Sequence, residues 1–249
     1  MDGPIWYLKQ CHLFERLSDD EAERLNRRAS IRRFKKRAIV YAPTQAGASV
    51  LVLARGRVKV HDLTPDGRET ILAFVEEGEL FGEVAALDGE PRQEFAVAVE
   101  DSEVLAVPRE DFVALLEARA DLTLSITRLI GLRRRRIETR LRDILFLSSR
   151  DRLVRVLVEL VEAHGEQRGD QHAIRFPLSH QDFAGLIGVS RETVTLALGQ
   201  LQAERLIDIE RRRVVVRDLN RLRGEAAKPD GSPLLRPRSR PAVVPGPSP

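Results

Sequence analysis

Pro177-Leu178-Ser179-His180-Gln181-Asp182-Phe183-Ala184-Gly185-Leu186-Ile187-Gly188-Val189-Ser190-Arg191-Glu192-Thr193-Val194-Thr195-Leu196-Ala197-Leu198 reads as two short helices joined by a sharp turn. Ser179 is placed to cap the first helix, with Asp182 three residues on to answer it. Gly188 supplies the turn and Ser190 caps the second helix. Ala184, Leu186, Ile187, Val189, Val194 and Leu198 fall on inner faces, which leaves Arg191, Glu192 and Thr195 pointing outward from the first turns of the second helix. That is where a recognition helix meets base edges in a major groove. Arg bonds guanine O6 and N7 bidentately, and a carboxylate accepts from cytosine N4. Ordinary packed helices have no use for that outward triad beside a turn glycine and two caps.

Beyond this motif, residues 206–209 and 214–216 read as a hairpin wing. Its tip, Arg211-Arg212-Arg213, suits phosphate contacts as well as it suits a solvated basic turn. Upstream, residues 150–164 read as a helix that completes a compact unit over 149–224. Segment 225–249 is rich in proline and scattered arginine, a composition that builds no core and predicts disorder.

Towards the N-terminus the period changes. Residues 109–147 carry Leu115, Leu122, Ile126, Leu129, Ile130, Ile137, Leu141, Ile144 and Leu145 at helical spacing, which predicts one long helix within a segment 109–148. Ile130, Ile137 and Ile144 recur every seventh residue, so the second half of that helix is expected to form the seam of a homodimer. Residues 133–136, four arginines, interrupt the stripe and read as a solvated face of the coiled coil. Over residues 34–107 the pattern is that of strands, with β-branched runs at 50–54, 58–63, 69–75, 95–99 and 104–107 punctuated by glycine turns. Arg57-Val58-Lys59-Val60-His61 alternates as a strand with one buried face should. A small barrel or jelly roll over 1–108 follows, entered by a helical segment at 12–30 with Ser18 and Glu21 at capping-box spacing. The fold class is therefore α+β: β-roll, long helix, winged helix-turn-helix.

Composition limits the chemistry. With 43% hydrophobic and 32% charged residues the chain reads as soluble and globular, and no run approaches the roughly 18 apolar residues of a membrane span. No basic-then-apolar leader opens the sequence, and one cysteine, Cys11, excludes an internal disulfide framework, so a cytoplasmic location is expected. A net charge of +3 is too small to argue for nucleic acid, which must be argued from the placed arginines.

On the strength of Val189-Ser190-Arg191-Glu192-Thr193-Val194 and of Phe81-Gly82-Glu83-Val84 followed by Pro91-Arg92, the sequence resembles the Crp/Fnr superfamily of bacterial regulators, from about Leu13 to Asp218. The resemblance implies a cyclic-nucleotide-binding β-roll, a dimerisation helix and a winged helix acting on an inverted repeat of double-stranded DNA, with RNA polymerase as a further partner. It implies Arg191 and Glu192 as base readers and Ser179 and Gln181 as phosphate contacts; the family's third reader, an Arg, falls at Leu196, and leucine cannot make that guanine contact. Glu83 and Arg92 match the family's ribose and cyclic-phosphate contacts. Gln93-Glu94 stands where small donors follow that Arg, and Ile137-Glu138 where hydroxyls read adenine. Cyclic AMP is thus a candidate effector that these departures argue against, beside another small anion or no ligand. Glu83 has Arg92 and Arg133 as alternative ion-pair partners. A nucleotide-binding regulatory module without DNA binding is the alternative function, and the outward triad speaks against it.

Other chemistry is thinly supported. Of five histidines only His61 lies among the strands, too few for a metal enzyme of this shape, so no enzyme and no metal site are expected. Haem ligation by Cys11, His12 or His61 is not demanded by their spacing.

Overall fold

The computed structural model describes residues 11, 13–15, 17–210 and 213–226. His12, Arg211 and Arg212 lie outside the described residues, as does the proline-rich segment from residue 227 on. The architecture is α+β: an N-terminal β-roll, a long helix and a C-terminal winged helix.

Helix α1 (Asp19–Arg28) is capped by Ser18, and both capping-box bonds form: Ser18 N donates to Glu21 Oε2 at 2.8 Å and Glu21 N donates to Ser18 Oγ at 3.3 Å. The roll then runs β1 (Ser30–Phe34), β2 (Ile39–Tyr41), β3 (Ser49–Arg55), β4 (Val58–Leu63), β5 (Glu69–Val75), β6 (Leu80–Phe81), α2 (Glu83–Asp88), β7 (Phe95–Ala98) and β8 (Ser102–Pro108). Two antiparallel sheets, β1-β8-β3-β6 and β2-β7-β4-β5, enclose Leu51, Leu53, Val58, Val60, Phe81 and Val104. Val50 and Val52 point the other way, into a second core with Phe14, Leu25, Phe112, Leu122 and Ile126. Strand β3 is therefore buried on both faces, which is why its sequence is a continuous apolar run. The alternation in β4 holds only to Val60. His61 shares the outer face of Lys59, opposite Ile71, yet it is buried there, against Glu69 at 3.2 Å and stacked on Phe95.

The expected single helix over 109–147 is two. Helix α3 (Arg109–Ala118) ends where Arg119 leaves helical geometry at φ −128° and ψ 91°, and α4 (Ala120–Phe146) begins again. The Arg119 guanidinium bonds Glu21 on α1 at 2.8 Å and Asp121 at 3.0 Å, and Thr123 Oγ1 donates to the Leu116 carbonyl across the break. Periodicity cannot show such a break, because the apolar stripe continues through it. Along α4 the first half packs on the roll through Leu122 and Ile126, with Ile130 half-buried beside them; Leu132, Ile137, Leu141, Ile144 and Leu145 are exposed.

The C-terminal unit comprises α5 (Ser149–His164), β9 (Gly165–Arg168), β10 (Gln171–Ile174), α6 (His180–Ile187), α7 (Arg191–Ala203), β11 (Ile207–Glu210), β12 (Arg213–Val216) and α8 (Leu219–Ala226). Its sheet has the order β11-β12-β10-β9. The β9–β10 hairpin, turned at Gly169 with φ +61°, escapes sequence reading because Glu166, Gln167 and Arg168 show no alternation.

This unit docks directly on the roll. Ile71 of β5 belongs to the core of the winged helix, among Leu153, Phe183 and Ile187. Helix α6 reaches β5 at Gly185, where an added Cβ would stand 2.9 Å from the Glu69 carbonyl and 3.1 Å from Ile71. Lys59 bonds Glu69 at 2.7 Å and Asp182 of α6 at 3.4 Å. Nearby, Arg57 lies 3.8 Å from the centre of the Phe176 ring and 2.8 Å from Glu76, whose carboxylate also meets His164 at 2.9 Å. His164 and Arg57 hold the Glu76 carboxyl down to about 2 from an ordinary 4.5. A depressed carboxyl contributes stability that is present in full above the ordinary value and is lost as the pH falls through the folded one. Amide protection factors in β5 and α6 should accordingly fall as the pH drops from about 4.5 towards about 2, and Glu76→Gln should remove most of that pH dependence. Equal dependence in both proteins would assign it elsewhere.

Candidate DNA interface and effector pocket

The helix-turn-helix forms as its residues dictate. Ser179 Oγ accepts from Asp182 N at 3.1 Å, and Ser179 N donates to Asp182 Oδ2 at 2.8 Å. Gly188 ends α6 at φ +67°, the left-handed conformation that disfavours a side chain, and its N–H donates to the Ala184 carbonyl at 2.9 Å. Ser190 then caps α7 by accepting from Thr193 N at 3.2 Å. Val194, Ala197, Leu198 and Leu201 are buried, while Arg191, Glu192, Thr195 and Leu196 are exposed together on the opposite face.

The chemistry of that face differs residue by residue. The Glu192 backbone N–H and the Ser190 hydroxyl hold the Glu192 carboxyl below the usual carboxylate range, so it is ionised and acceptor-only at neutral pH. Thr195 Oγ1 donates to the Arg191 carbonyl at 2.9 Å and faces His180 Nδ1 at 2.8 Å, so the outward surface of Thr195 is its methyl group. Gln181 is exposed on the first turn of α6. A groove lined by Ser179, His180, Gln181, Arg191, Ile209 and Val214 runs between the two helices and the wing. Arg213 stands opposite Glu210 in the strand register, at the turn end of the β11–β12 hairpin.

The pocket residues are not gathered into one site: Glu83 and Arg92 are buried in internal networks, while Gln93, Ile137 and Glu138 are exposed. Glu83 is 3% exposed and bonds Arg133 of α4 at 2.6 Å; the same guanidinium donates to the Leu80 carbonyl at 2.6 Å. Of the two partners open to Glu83, Arg133 is the one that bonds it. Arg133 therefore departs from the solvated face expected of residues 133–136, while Arg134, Arg135 and Arg136 are exposed. Arg92 is 4% exposed, donates to the carbonyls of Gly82 at 3.2 Å and Ser49 at 2.7 Å, and lies 4.1 Å from the centre of the Tyr41 ring. Gly82 has φ +66°, and a Cβ there would stand 2.3 Å from Arg92 Nη1. Tyr41 in turn donates to Glu94 at 2.8 Å. Gln93 is exposed, as are Ile137 and Glu138, and Glu138 pairs along the helix with Arg134 at 3.2 Å. The candidate pocket residues thus fall into a buried pair of arginine-centred clusters and three surface positions.

Two family models match the chain: a cyclic nucleotide-binding domain over residues 31–119 and a Crp-like helix-turn-helix domain over residues 151–225. The cyclic AMP receptor protein of Thermus thermophilus is 30% identical over 211 residues, 85% of this chain and 94% of that one. The chain belongs to the Crp/Fnr family of transcription regulators. A CRP-like cAMP-activated global transcriptional regulator of Mycobacterium tuberculosis is 28% identical over 189 residues, 76% of this chain and 84% of that one. Among solved structures, the c-di-GMP responsive regulator CLP of Xanthomonas campestris superposes with a TM-score of 0.70 at 24% identity, covering 80% of this chain and 99% of that one. The Crp-like domain binds DNA, and the family is one of transcription regulators, not enzymes.

Sequence reasoning missed several contacts that shape these sites. Tyr41 and Glu94 meet across 53 positions, His180 and Thr195 across 15, and Lys59 and Asp182 across 123. No local pattern carries such contacts. His61 and Cys11 are both buried, and burial pushes the Cys11 thiol up to about 11, which leaves it protonated and inert at neutral pH. Among the described residues no group of three or more His, Cys, Asp and Glu is placed to hold a metal ion, and no helix is long and apolar enough to cross a membrane.

Proposed function

We propose that this Crp/Fnr regulator acts as a homodimer on an inverted repeat, with α7 of each protomer in one of two successive major-groove segments. The observation that carries the reading is the exposed face of α7, where Arg191 and an ionised Glu192 stand at the first turn behind a capped turn glycine. Ser179, Gln181 and the wing arginines Arg211, Arg212 and Arg213 serve the phosphates. RNA polymerase is the further partner on such a promoter. The division of labour is a sensor over 1–108, a dimerisation helix over 109–148, a DNA-binding unit over 149–224, whose last helix runs on to Ala226, and a proline-rich tail. Arg191→Ala should cost about 1–3 kcal/mol per half-site and relax specificity at one base pair. Arg212→Ala should instead weaken all sequences alike and flatten the salt dependence. An unchanged ratio of specific to non-specific binding in Arg191→Ala would refute the reading role.

The dimer seam is proposed along α4 at Ile130, Ile137 and Ile144. Ile137 and Ile144 support it at 52% and 48% exposure, with Leu141 and Leu145 beside them; Ile130 is shared with the core of its own chain. Ile137→Asp would set two unpaired carboxylates against each other in the seam. Sedimentation should then find monomers, with a steep loss of DNA affinity. A variant that stays dimeric places the interface elsewhere.

For the effector, the reading best supported is DNA binding without cyclic AMP. Glu83 is already paired, Arg92 already bonds two carbonyls, Glu94 stands beside it and the position that would read adenine carries Ile137 and Glu138. Each polar ligand group left unpaired costs roughly 1–3 kcal/mol. Two such losses weaken binding by about two to four decades. Calorimetry should show no micromolar binding of cyclic AMP, and DNA titrations should coincide with and without it. A tenfold gain in DNA affinity on adding cyclic AMP would overturn this.

A further inference from the structure

Leu196 is 70% exposed, more than any other large apolar side chain among the described residues. Half of the ten others are accounted for: Leu132, Ile137, Leu141, Ile144 and Leu145 lie along α4 at the proposed seam. Leu196 stands apart from them, on the outward face of α7 with Arg191, Glu192 and Thr195. A single exposed leucine needs no explanation by itself. Two neighbours make this one part of a surface. Thr195, whose hydroxyl is engaged by the Arg191 carbonyl and His180, presents a methyl group beside it. One turn on, Gly199 lies in the interior of the same helix, exposed, and a Cβ placed there would meet nothing within 4 Å. Glycine weakens a helix interior by about 1 kcal/mol relative to alanine, and no contact inside this chain requires it. The combination is a small apolar patch with a recess next to it, continuous with two charged side chains suited to base edges.

We infer that Leu196 is a specificity-determining residue that reads the C5-methyl group of a thymine in each half-site, with Gly199 leaving room for the DNA to approach. The chemistry fits one occupant. In the major groove thymine alone among the bases carries a methyl group, and apolar side chains recognise it by contact. Leu196 has no donor or acceptor, so it cannot hold a guanine or an adenine, and a cytosine at the same place would leave the leucine against an unmethylated edge. The inference rests on the proposed reading role of α7 and adds the base identity at one position.

The test removes the methyl group and nothing else. A preferred duplex is selected from random sequences with the full-length chain, and each thymine of the half-sites is then replaced singly by deoxyuridine. At one thymine position per half-site the affinity should fall about fourfold, the worth of one buried methyl-sized group, and about 15-fold when both half-sites are changed. Leu196→Ala, which leaves the buried face of α7 untouched, should bind the thymine and uracil duplexes alike. Sequence-selective binding with no uracil effect at any position, or a uracil effect that persists in Leu196→Ala, would overturn this inference while leaving the function intact. Failure to enrich any duplex would overturn the proposed function and this inference with it.

Discussion

Helix α4 is held by two arginines seven residues apart. Arg133 bonds the buried Glu83 and the Leu80 carbonyl, and Arg140 bonds the carbonyls of Ile71 and Leu72 at 3.1 Å each. Seven residues are two helical turns, so both guanidinium groups leave α4 on one face and grip the roll at two points. The first grip is obligatory in a physical sense. A carboxylate with 3% exposure is stable only when paired, and removing one partner of such a pair costs about 3–5 kcal/mol. With that face committed to the roll, the apolar positions that recur at the same seven-residue interval, Ile130, Ile137 and Ile144, fall on an adjacent face. From Ile137 onward this chain leaves that face about half exposed.

The same interaction bears on the pocket. An effector that used Glu83 would have to displace Arg133, and with it the bond that seats α4. Arg92 is as firmly engaged. Its guanidinium lies between two backbone carbonyls and the Tyr41 ring, with Glu94 close enough to counter its charge. Cyclic-nucleotide recognition requires a cation with an open side, whereas this arginine completes its surroundings from within the chain. In the proposed reading, the internal network stands where other members of the family place a ligand.

The sequence was most legible where local rules act alone. The capping boxes at Ser18 and Ser179, the turn at Gly188 and the strands at 58–63 and 69–75 follow from spacing and residue type, and the structure has them at those positions. Legibility fell where tertiary contacts override pattern. The break at Arg119 depends on Glu21, nearly a hundred residues away. The burial of His61 comes on the outer face of the roll, beside Ile71 in the core of the winged helix, and no alternation predicts it. Gly185 looked like an ordinary helix residue, yet it is the point at which α6 approaches the backbone of β5. In the pocket, sequence offered Glu83 two arginines of equal merit. The choice was made by α4, whose packing through Leu122 and Ile126 brings Arg133 within reach.

The docking of the winged helix joins these elements into one mechanical unit. Asp182 closes the cap of α6 and also bonds Lys59 of the roll, so one carboxylate ties the start of the helix-turn-helix to the roll. At the other end of α6, the Ile144 side chain of α4 lies against Gly188, 3.5 Å from where a Cβ would be, and Arg152 donates to the Ile187 carbonyl at 2.8 Å. That spacing is ordinary van der Waals contact, so the glycine is required by its positive φ and not by crowding. In the proposed dimer Ile144 therefore touches two things at once: the seam with the partner and the turn that aims the recognition helix. A shift of the seam by a fraction of a side chain would reach the reading head without an intermediary, because packed interiors transmit displacement rather than absorb it. In that proposed dimer the distance between the two recognition helices would follow how α4 lies on the roll, which the packing of Leu122 and Ile126 and the bonds of Arg133 and Arg140 fix together.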